Sequence, residues 1–280
     1  LVMELIQPIF VNQSGSTKEA GLGIENSSYS EIDILDRIQK DVDKGVDSFL
    51  LFITPDTKTW NPTWDFQADI VNKIKNKFPK NELIVDVCLC STLPDGHCRV
   101  LDKPDTTEKL LTDLGIKLEK AGADILAPSD MGDNTVKNLR LETKSKIMAY
   151  VKWRSVFYSS FRELADSSPS SERLYQMNLD NSWNATGTAH KYDKDGADML
   201  LMKPAIHSID VFGLIKAGTY KPCGFFQVSD EYKGLPTMKH QIEMAGIMKR
   251  AGAQFLVTYG ARDLVNYFRE PEEQPMIGYD

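Results

Sequence analysis

The chain has 280 residues, of which 41% are hydrophobic, and its formal net charge is −7 at pH 7. This length suits one large domain or two small ones, and no basic stripe indicates a nucleic-acid-binding surface. No apolar run approaches the roughly eighteen residues of a membrane span, so we expect neither nucleic acid nor a membrane as a partner.

Eight short apolar runs rich in β-branched and aromatic residues predict β-strands. They are 5–11, 47–54, 83–89, 123–129, 146–152, 197–204, 224–229 and 254–260. Segments with a helical period lie in most of the intervals, most clearly 64–78, 106–122, 237–252 and 262–268. This alternation predicts a single-domain (β/α)8 TIM barrel over residues 1–280. An open doubly wound sheet is the alternative, although no glycine-rich phosphate-binding turn follows the first run.

The C-terminal ends of barrel strands carry the chemistry of such folds. Those ends hold Cys88, Cys90, Ser129, Asp130, Lys152, Lys203, Ser229 and Tyr259. Two lysines at neighbouring strand ends should share a pocket, where each lowers the pKa of the other and a neutral amine can form a Schiff base. Lys203, which follows four apolar residues, is the better candidate. The alternative is that each lysine simply ends a strand and reaches water.

Three of the four cysteines lie within eleven positions, at Cys88, Cys90 and Cys98. The first two are expected to share one face of the third strand. Three thiolates with one open position are typical of a catalytic zinc site, whereas His97 as a fourth ligand would make the site structural. Free thiols or a redox role are the alternatives. Four cysteines do not suggest a disulfide framework, so we expect a cytoplasmic protein, with Cys223 as a buried hydrophobic residue.

The segment at about 161–195 is polar and shows little periodicity, which predicts either an active-site lid or a solvated loop. Arg162, Arg173 and Gln176 within it could bind a carboxylate. The tail, 269–280, is acidic and contains proline, so we expect it to be mobile or to contact a partner.

Several blocks of the sequence together resemble one enzyme family. DVCLC, GHC, AGADILAPSDM, FYSSFRE, GADMLLMKP, FQVSDEY and TYG occur in its order. The chain resembles the zinc-dependent branch of the porphobilinogen synthase family, also called 5-aminolevulinate dehydratases. The resemblance implies a homo-oligomeric lyase of heme biosynthesis that condenses two 5-aminolevulinate molecules into porphobilinogen.

The resemblance also implies roles for individual residues. Lys203 would form a Schiff base with the first-bound substrate, and Lys152 with the second. Zn²⁺ would be held by Cys88, Cys90 and Cys98.

The same resemblance implies a set of substrate-binding residues. Asp86 and Ser129 would position the amine of the first substrate, and Ser229 and Tyr259 its carboxylate. The three lid residues named above would bind the carboxylate of the second substrate.

The chain departs from the family pattern near the predicted site. Phe226 replaces a tyrosine, and Asp230 replaces a glycine and would be strained if that position needs a positive φ. An arginine is absent from 132–135, and one residue is missing immediately before Lys152. Glu172 occupies a basic position and would repel a carboxylate by about 1 kcal/mol.

These departures leave two alternatives to the family reaction. One is a Schiff-base-forming barrel enzyme that acts on a different amino-ketone. The other is a non-catalytic relative that binds zinc or serves in assembly.

Overall fold

Nine β-strands form within residues 2–269, the part of the chain that the computed structural model describes. They are β1 (Glu4–Asn12), β2 (Ser28–Ser30), β3 (Ser48–Thr54), β4 (Glu82–Val87), β5 (Ile125–Pro128), β6 (Lys146–Lys152), β7 (Met199–Lys203), β8 (Cys223–Phe226) and β9 (Phe255–Val257). Strands β1 and β3 to β9 pair in chain order, all parallel, and β9 pairs back with β1. The predicted eight-stranded barrel is therefore confirmed. The short polar strand β2 was not predicted, and it pairs with the last three residues of β1, beyond the point where β9 ends.

Ten α-helices lie in the same part of the chain and surround the barrel. They are α1 (Ile34–Asp43), α2 (Asp65–Lys77), α3 (Pro104–Ala121), α4 (Thr135–Glu142), α5 (Ser159–Leu164), α6 (Ser182–Lys194), α7 (Ile209–Ala217), α8 (Ser229–Lys233), α9 (Met238–Arg250) and α10 (Ala261–Arg269). The four clearest predicted helices correspond to α2, α3, α9 and α10. Helix α3 shows why, because Pro104 fits a first turn and Gly122 ends it with φ 109°.

Side chains along the strands alternate between the barrel interior and the layer beneath the helices. On β6, Met148 and Tyr150 pack in the interior cluster, while Ala149 and Val151 pack in the outer one. Lys152 continues the interior set at the end of the strand. The interior side chains of this strand are thus apolar along its length and charged at its C-terminal end, in the barrel mouth.

The end of β4 differs from the prediction. The strand stops at Val87, and the backbone then turns, with the Thr92 and Leu93 amides donating to the Leu89 carbonyl. Cys88 and Cys90 therefore do not lie on a strand, and the prediction that they share a strand face is wrong. The turn nonetheless brings their Sγ atoms to 3.3 Å.

The predicted lid segment is not irregular throughout. Helices α5 and α6 occupy its two ends, and the Asn181 side chain caps α6 by accepting from the Trp183 amide. Helix α6 has a weak amphipathic pattern because its buried face includes small and polar residues such as Ala185 and Thr186. The connection without helix is therefore 165–181, shorter than expected.

Two predictions concern the membrane and the tail. Among residues 2–269, no helix combines the length and the apolar character needed to cross a bilayer. Residues 270–280 of the tail lie outside the described residues.

Candidate active site

The lysines that end β6 and β7 lie side by side. Lys152 and Lys203 are register partners, and both side chains are buried, with exposures of 5% and 3%. Leu201, two residues before Lys203, packs inside the barrel, so both amines point into the barrel mouth. Lys152 is in register with Lys203, so the deletion expected before Lys152 does not disturb this pairing.

The Lys203 ammonium lies among aromatic rings. Its Nζ is 3.9 Å from the centre of the Phe161 ring and 4.0 Å from that of Phe226. Burial lowers the pKa of Lys203 to about 7, and the charge of Lys152 lowers it further than the Asp86 carboxyl raises it. A large fraction of Lys203 is therefore a neutral amine near pH 7, which a nucleophile requires.

The pKa of Lys203 predicts how its reactivity depends on pH. The ammonium loses its proton as pH rises, so borohydride trapping of a small keto acid on Lys203 should rise through about pH 7. Lys152→Met removes a neighbouring cation and should move the midpoint to higher pH. A midpoint near the ordinary value of 10.5 would contradict the structure. The measurement is mass spectrometry of the reduced adduct at a series of pH values.

Lys152 connects the amine pair to the cysteines. Its Nζ donates to the Ser129 carbonyl and lies 4.0 Å from the Cys98 Sγ. A substrate bound to Lys152 would therefore lie directly beside the thiols.

The three clustered thiols are buried, and their Sγ atoms all lie within 4.8 Å of one another. Hydrogen bonds from the Cys88 and Cys90 thiols hold the pKa of Cys98 well below its usual range, and the charges of Lys152 and Arg173 act in the same direction. Thiolates in this arrangement suit a soft metal ion and leave one position for another ligand. The cluster could therefore hold a metal.

His97 does not join this cluster. Its Nδ1 lies 3.2 Å from the Tyr175 hydroxyl, and its Nε2 lies 3.0 Å from the Ser171 Oγ. The Tyr175 oxygen also accepts from the Cys98 amide at 2.9 Å. His97 and Tyr175 thus fasten the cysteine loop to the lid connection, and His97 is not a fourth ligand in this arrangement.

Asp86 and Ser129 lie at the ends of adjacent strands. The Asp86 Oδ1 is buried without a hydrogen-bond partner among the described residues. Burial raises the pKa of Asp86 to about 6, against the lowering effects of Lys152, Lys203 and the Ser129 hydroxyl. The charges of both lysines thus act on this carboxyl, which lies at the same barrel mouth.

Tyr259 and Ser229 differ in how their hydroxyls are used. The Tyr259 hydroxyl is buried without a partner among the described residues, and burial raises its pKa. The Ser229 Oγ lies 3.2 Å from the Phe157 carbonyl and accepts from the Phe161 amide at 3.3 Å. Asp230 lies in α8 without a positive φ, so the strain considered for it is not present.

The three predicted lid residues line one cleft of about 890 Å³. The Gln176 amide atoms and the Nε atoms of Arg162 and Arg173 are buried without hydrogen-bond partners among the described residues. Arg173 uses its Nη2 on the Gly96 and Ser167 carbonyls, each at 2.6 Å. Donors without partners on residues that line one cleft are suited to an anionic ligand.

Arg154 lines the same cleft and was missed from the sequence. Its Nη1 lies 3.3 Å from the Glu172 Oε2, so the repulsion expected from Glu172 is partly offset by a neighbouring cation. The position of Arg154, two residues after Lys152 at the barrel mouth, is the signal that could have identified it.

Glu231 is a second residue that the sequence reasoning did not identify. Its buried carboxylate accepts from the Ile206 and Val228 amides, both at 2.6 Å, and from the Ala205 amide at 3.3 Å. Burial raises its pKa to about 7. Glu231 thus ties the turn after Lys203 to the end of β8.

The fold and these side chains define a class of protein, a (β/α)8-barrel enzyme with paired buried lysines beside a thiol cluster. The family model for delta-aminolevulinic acid dehydratase matches residues 1–267. The chain belongs to this family.

Individual relatives agree with this assignment. The delta-aminolevulinic acid dehydratase of Halalkalibacterium halodurans is 31% identical, over 95% of this chain and 90% of the relative. That of Methanothermus sociabilis is 32% identical, over 94% and 90%. The crystal structure of the Toxoplasma gondii enzyme, a porphobilinogen synthase in complex with the product porphobilinogen, matches with a TM-score of 0.87 and 30% identity. That match covers 95% of this chain and 86% of the Toxoplasma chain.

Proposed function

We propose that the protein condenses two molecules of 5-aminolevulinate into porphobilinogen, the porphobilinogen synthase reaction of heme and other tetrapyrrole biosynthesis. The observation that carries this proposal is the register pairing of Lys152 with Lys203 inside one barrel mouth, beside three clustered thiols. The family membership and the product complex of the Toxoplasma gondii relative support the same reaction.

Lys203 is proposed to bind the first substrate covalently. Its neutral amine attacks the ketone carbon and expels water, which leaves a Schiff base. The aromatic rings around Nζ exclude water and so protect this linkage from hydrolysis.

Lys152 is proposed to bind the second substrate in the same way, with loss of a second water. A carbon–carbon bond then joins the two substrates, and elimination releases Lys203. The amine of the first substrate displaces Lys152 when the ring carbon–nitrogen bond forms. Both lysines are regenerated, and the net loss is two waters.

The resident metal is proposed to be Zn²⁺, held by Cys88, Cys90 and Cys98. Three buried thiols fit the donor set that zinc prefers, and Lys152 lies beside it. Zinc there would supply a Lewis acid with one exchangeable position near the second substrate.

The polar residues around the lysines are proposed to bind the rest of both substrates. The charges of both lysines act on Asp86, and the Ser129 carbonyl accepts from the Lys152 Nζ, so Asp86 and Ser129 would hold the amino group of the first substrate. Ser229 and Tyr259 would hold its carboxylate. The cleft lined by Arg162, Arg173 and Gln176 would take the carboxylate of the second substrate.

We further propose that the protein is a cytoplasmic homo-oligomer. All four cysteines are unpaired, which suits a reducing compartment. Val156 and Trp183 are each 80% exposed, and contacts between copies would cover them.

The proposal is tested by supplying the zinc-loaded protein with 5-aminolevulinate and assaying the pyrrole with Ehrlich's reagent. We expect a coloured product, an adduct on Lys203 after borohydride reduction, and loss of the product with a chelator. An adduct without any pyrrole would instead favour a different amino-ketone, an outcome that Phe226 would then explain. Neither adduct nor pyrrole would favour the non-catalytic alternative.

A further inference from the structure

The Tyr150 hydroxyl is a polar group in the barrel interior, and the proposed reaction assigns it no role. The Tyr150 side chain is fully buried, at 0% exposure, and packs in the interior cluster. Its hydroxyl is buried and has no hydrogen-bond partner among the described residues.

Among the described residues, Tyr259, a predicted substrate-binding residue, shares this property, whereas two other buried tyrosines have partners for their hydroxyls. The Tyr158 hydroxyl donates to the Trp153 carbonyl at 2.7 Å, and the Tyr192 hydroxyl donates to the Gly132 carbonyl at 3.3 Å. A buried hydroxyl without a partner destabilises a protein, so its presence calls for an explanation. A ligand that enters the barrel is one such explanation.

The surroundings of Tyr150 indicate which ligand group it would meet. The Lys203 Nζ lies 5.4 Å from the centre of its ring. Tyr150 and Asp86 come from alternate strands of the barrel, the arrangement in which interior side chains share a layer. The Asp86 Oδ1 is also buried without a partner among the described residues. Burial raises the pKa of Tyr150, and the charge of Asp86 is the next largest cause.

The chemistry of the substrate selects its amino group as the partner. In 5-aminolevulinate the amine is one carbon from the ketone, so binding of the ketone to Lys203 brings the amine close to that lysine. An ammonium donates hydrogen bonds and therefore suits the acceptors of Asp86 and Tyr150. A carboxylate would be repelled by Asp86.

We propose that the Tyr150 hydroxyl, together with Asp86, binds the amino group of the substrate held on Lys203. Tyr150 is thereby a specificity-determining residue that favours amino-ketones over plain ketones. This inference rests on the proposed function.

The test compares two keto acids on the zinc-loaded full chain. Borohydride trapping on Lys203 is measured against concentration for 5-aminolevulinate and for levulinate, the same keto acid without the amine. Tyr150→Phe should raise the half-saturating concentration of 5-aminolevulinate by about tenfold, since a hydrogen bond to a charged group is lost. That of levulinate should change less than about twofold.

Thermal unfolding and a matched variant separate binding from structure. Tyr150→Phe should not lower Tm, because the hydroxyl that it removes has no partner. Tyr192→Phe removes a partnered hydroxyl, so it should lower Tm and leave the ratio of the two half-saturating concentrations unchanged. If Tyr150→Phe raised the half-saturating concentrations of both keto acids equally, or of neither, the inference would be overturned. The proposed function would be unaffected by that result. Failure of the wild type to trap either keto acid would overturn the proposed function and this inference with it.

Discussion

Replacement of Lys203 by methionine is expected to reduce the rate of porphobilinogen formation by a factor on the order of 10³ or more, about 4 kcal/mol of transition-state free energy. The reason is that methionine has a similar length but no amine, so the first substrate cannot form a Schiff base. Methionine also suits the apolar surroundings of this position, where burial lowers the pKa of the lysine to about 7. The Tm of the variant should therefore not fall.

The measurement is the Ehrlich assay, together with mass spectrometry after borohydride reduction. Lys146→Met is the matched control, since Lys146 begins the strand that Lys152 ends and its side chain is 64% exposed. The control should keep activity within about twofold, because an exposed charge contributes little. Activity of Lys203→Met above about 1% of wild type would refute the assigned nucleophile.

Replacement of Cys98 by alanine is expected to remove the bound zinc and to reduce activity by at least about 10²-fold. Cys98 is the thiol of the cluster that loses its proton most readily, because the other two thiols hold its pKa well below the usual range. Without this thiolate, two cysteines remain, which is too few for a stable zinc site.

Zinc content per chain, measured by elemental mass spectrometry, checks this prediction independently of activity. Cys223→Ala is the matched control, since Cys223 is equally buried but starts β8 at the opposite end of the barrel. This control should retain both its zinc and its activity. A Cys98→Ala protein that binds zinc like the wild type would show that the cluster is not the metal site.

The departures from the family pattern have different consequences in the structure. The lysines are in register despite the deletion expected before Lys152, and Asp230 fits a helix without strain. Glu172 pairs with Arg154 at the rim of the cleft. Phe226 is the departure that acts at the centre of the site, because its ring lies 4.0 Å from the Lys203 Nζ. Divergence is thus best tested at Phe226 and at the hydroxyls around it.

The sequence by itself determined the barrel and the composition of its mouth. Apolar runs that alternate with helix-period segments are local patterns. Each run is almost continuously apolar because a parallel strand is buried on both faces. The residues at the strand ends follow from the same patterns. The pairing of Lys152 with Lys203 is therefore a consequence of strand order, which the amino-acid sequence alone predicts.

Only the tertiary structure decided where individual side chains point and what they contact. The end of β4 depends on a turn that packs against the rest of the chain, so the true positions of Cys88 and Cys90 were not encoded in local propensity. Helix α6 gains its stability from the barrel that it covers, because its own pattern is weak. Whether a hydroxyl such as that of Tyr150 finds a partner depends on residues distant in sequence. Such contacts form only when the barrel closes. The sequence could therefore predict the site residues but not which of their polar groups lack hydrogen-bond partners.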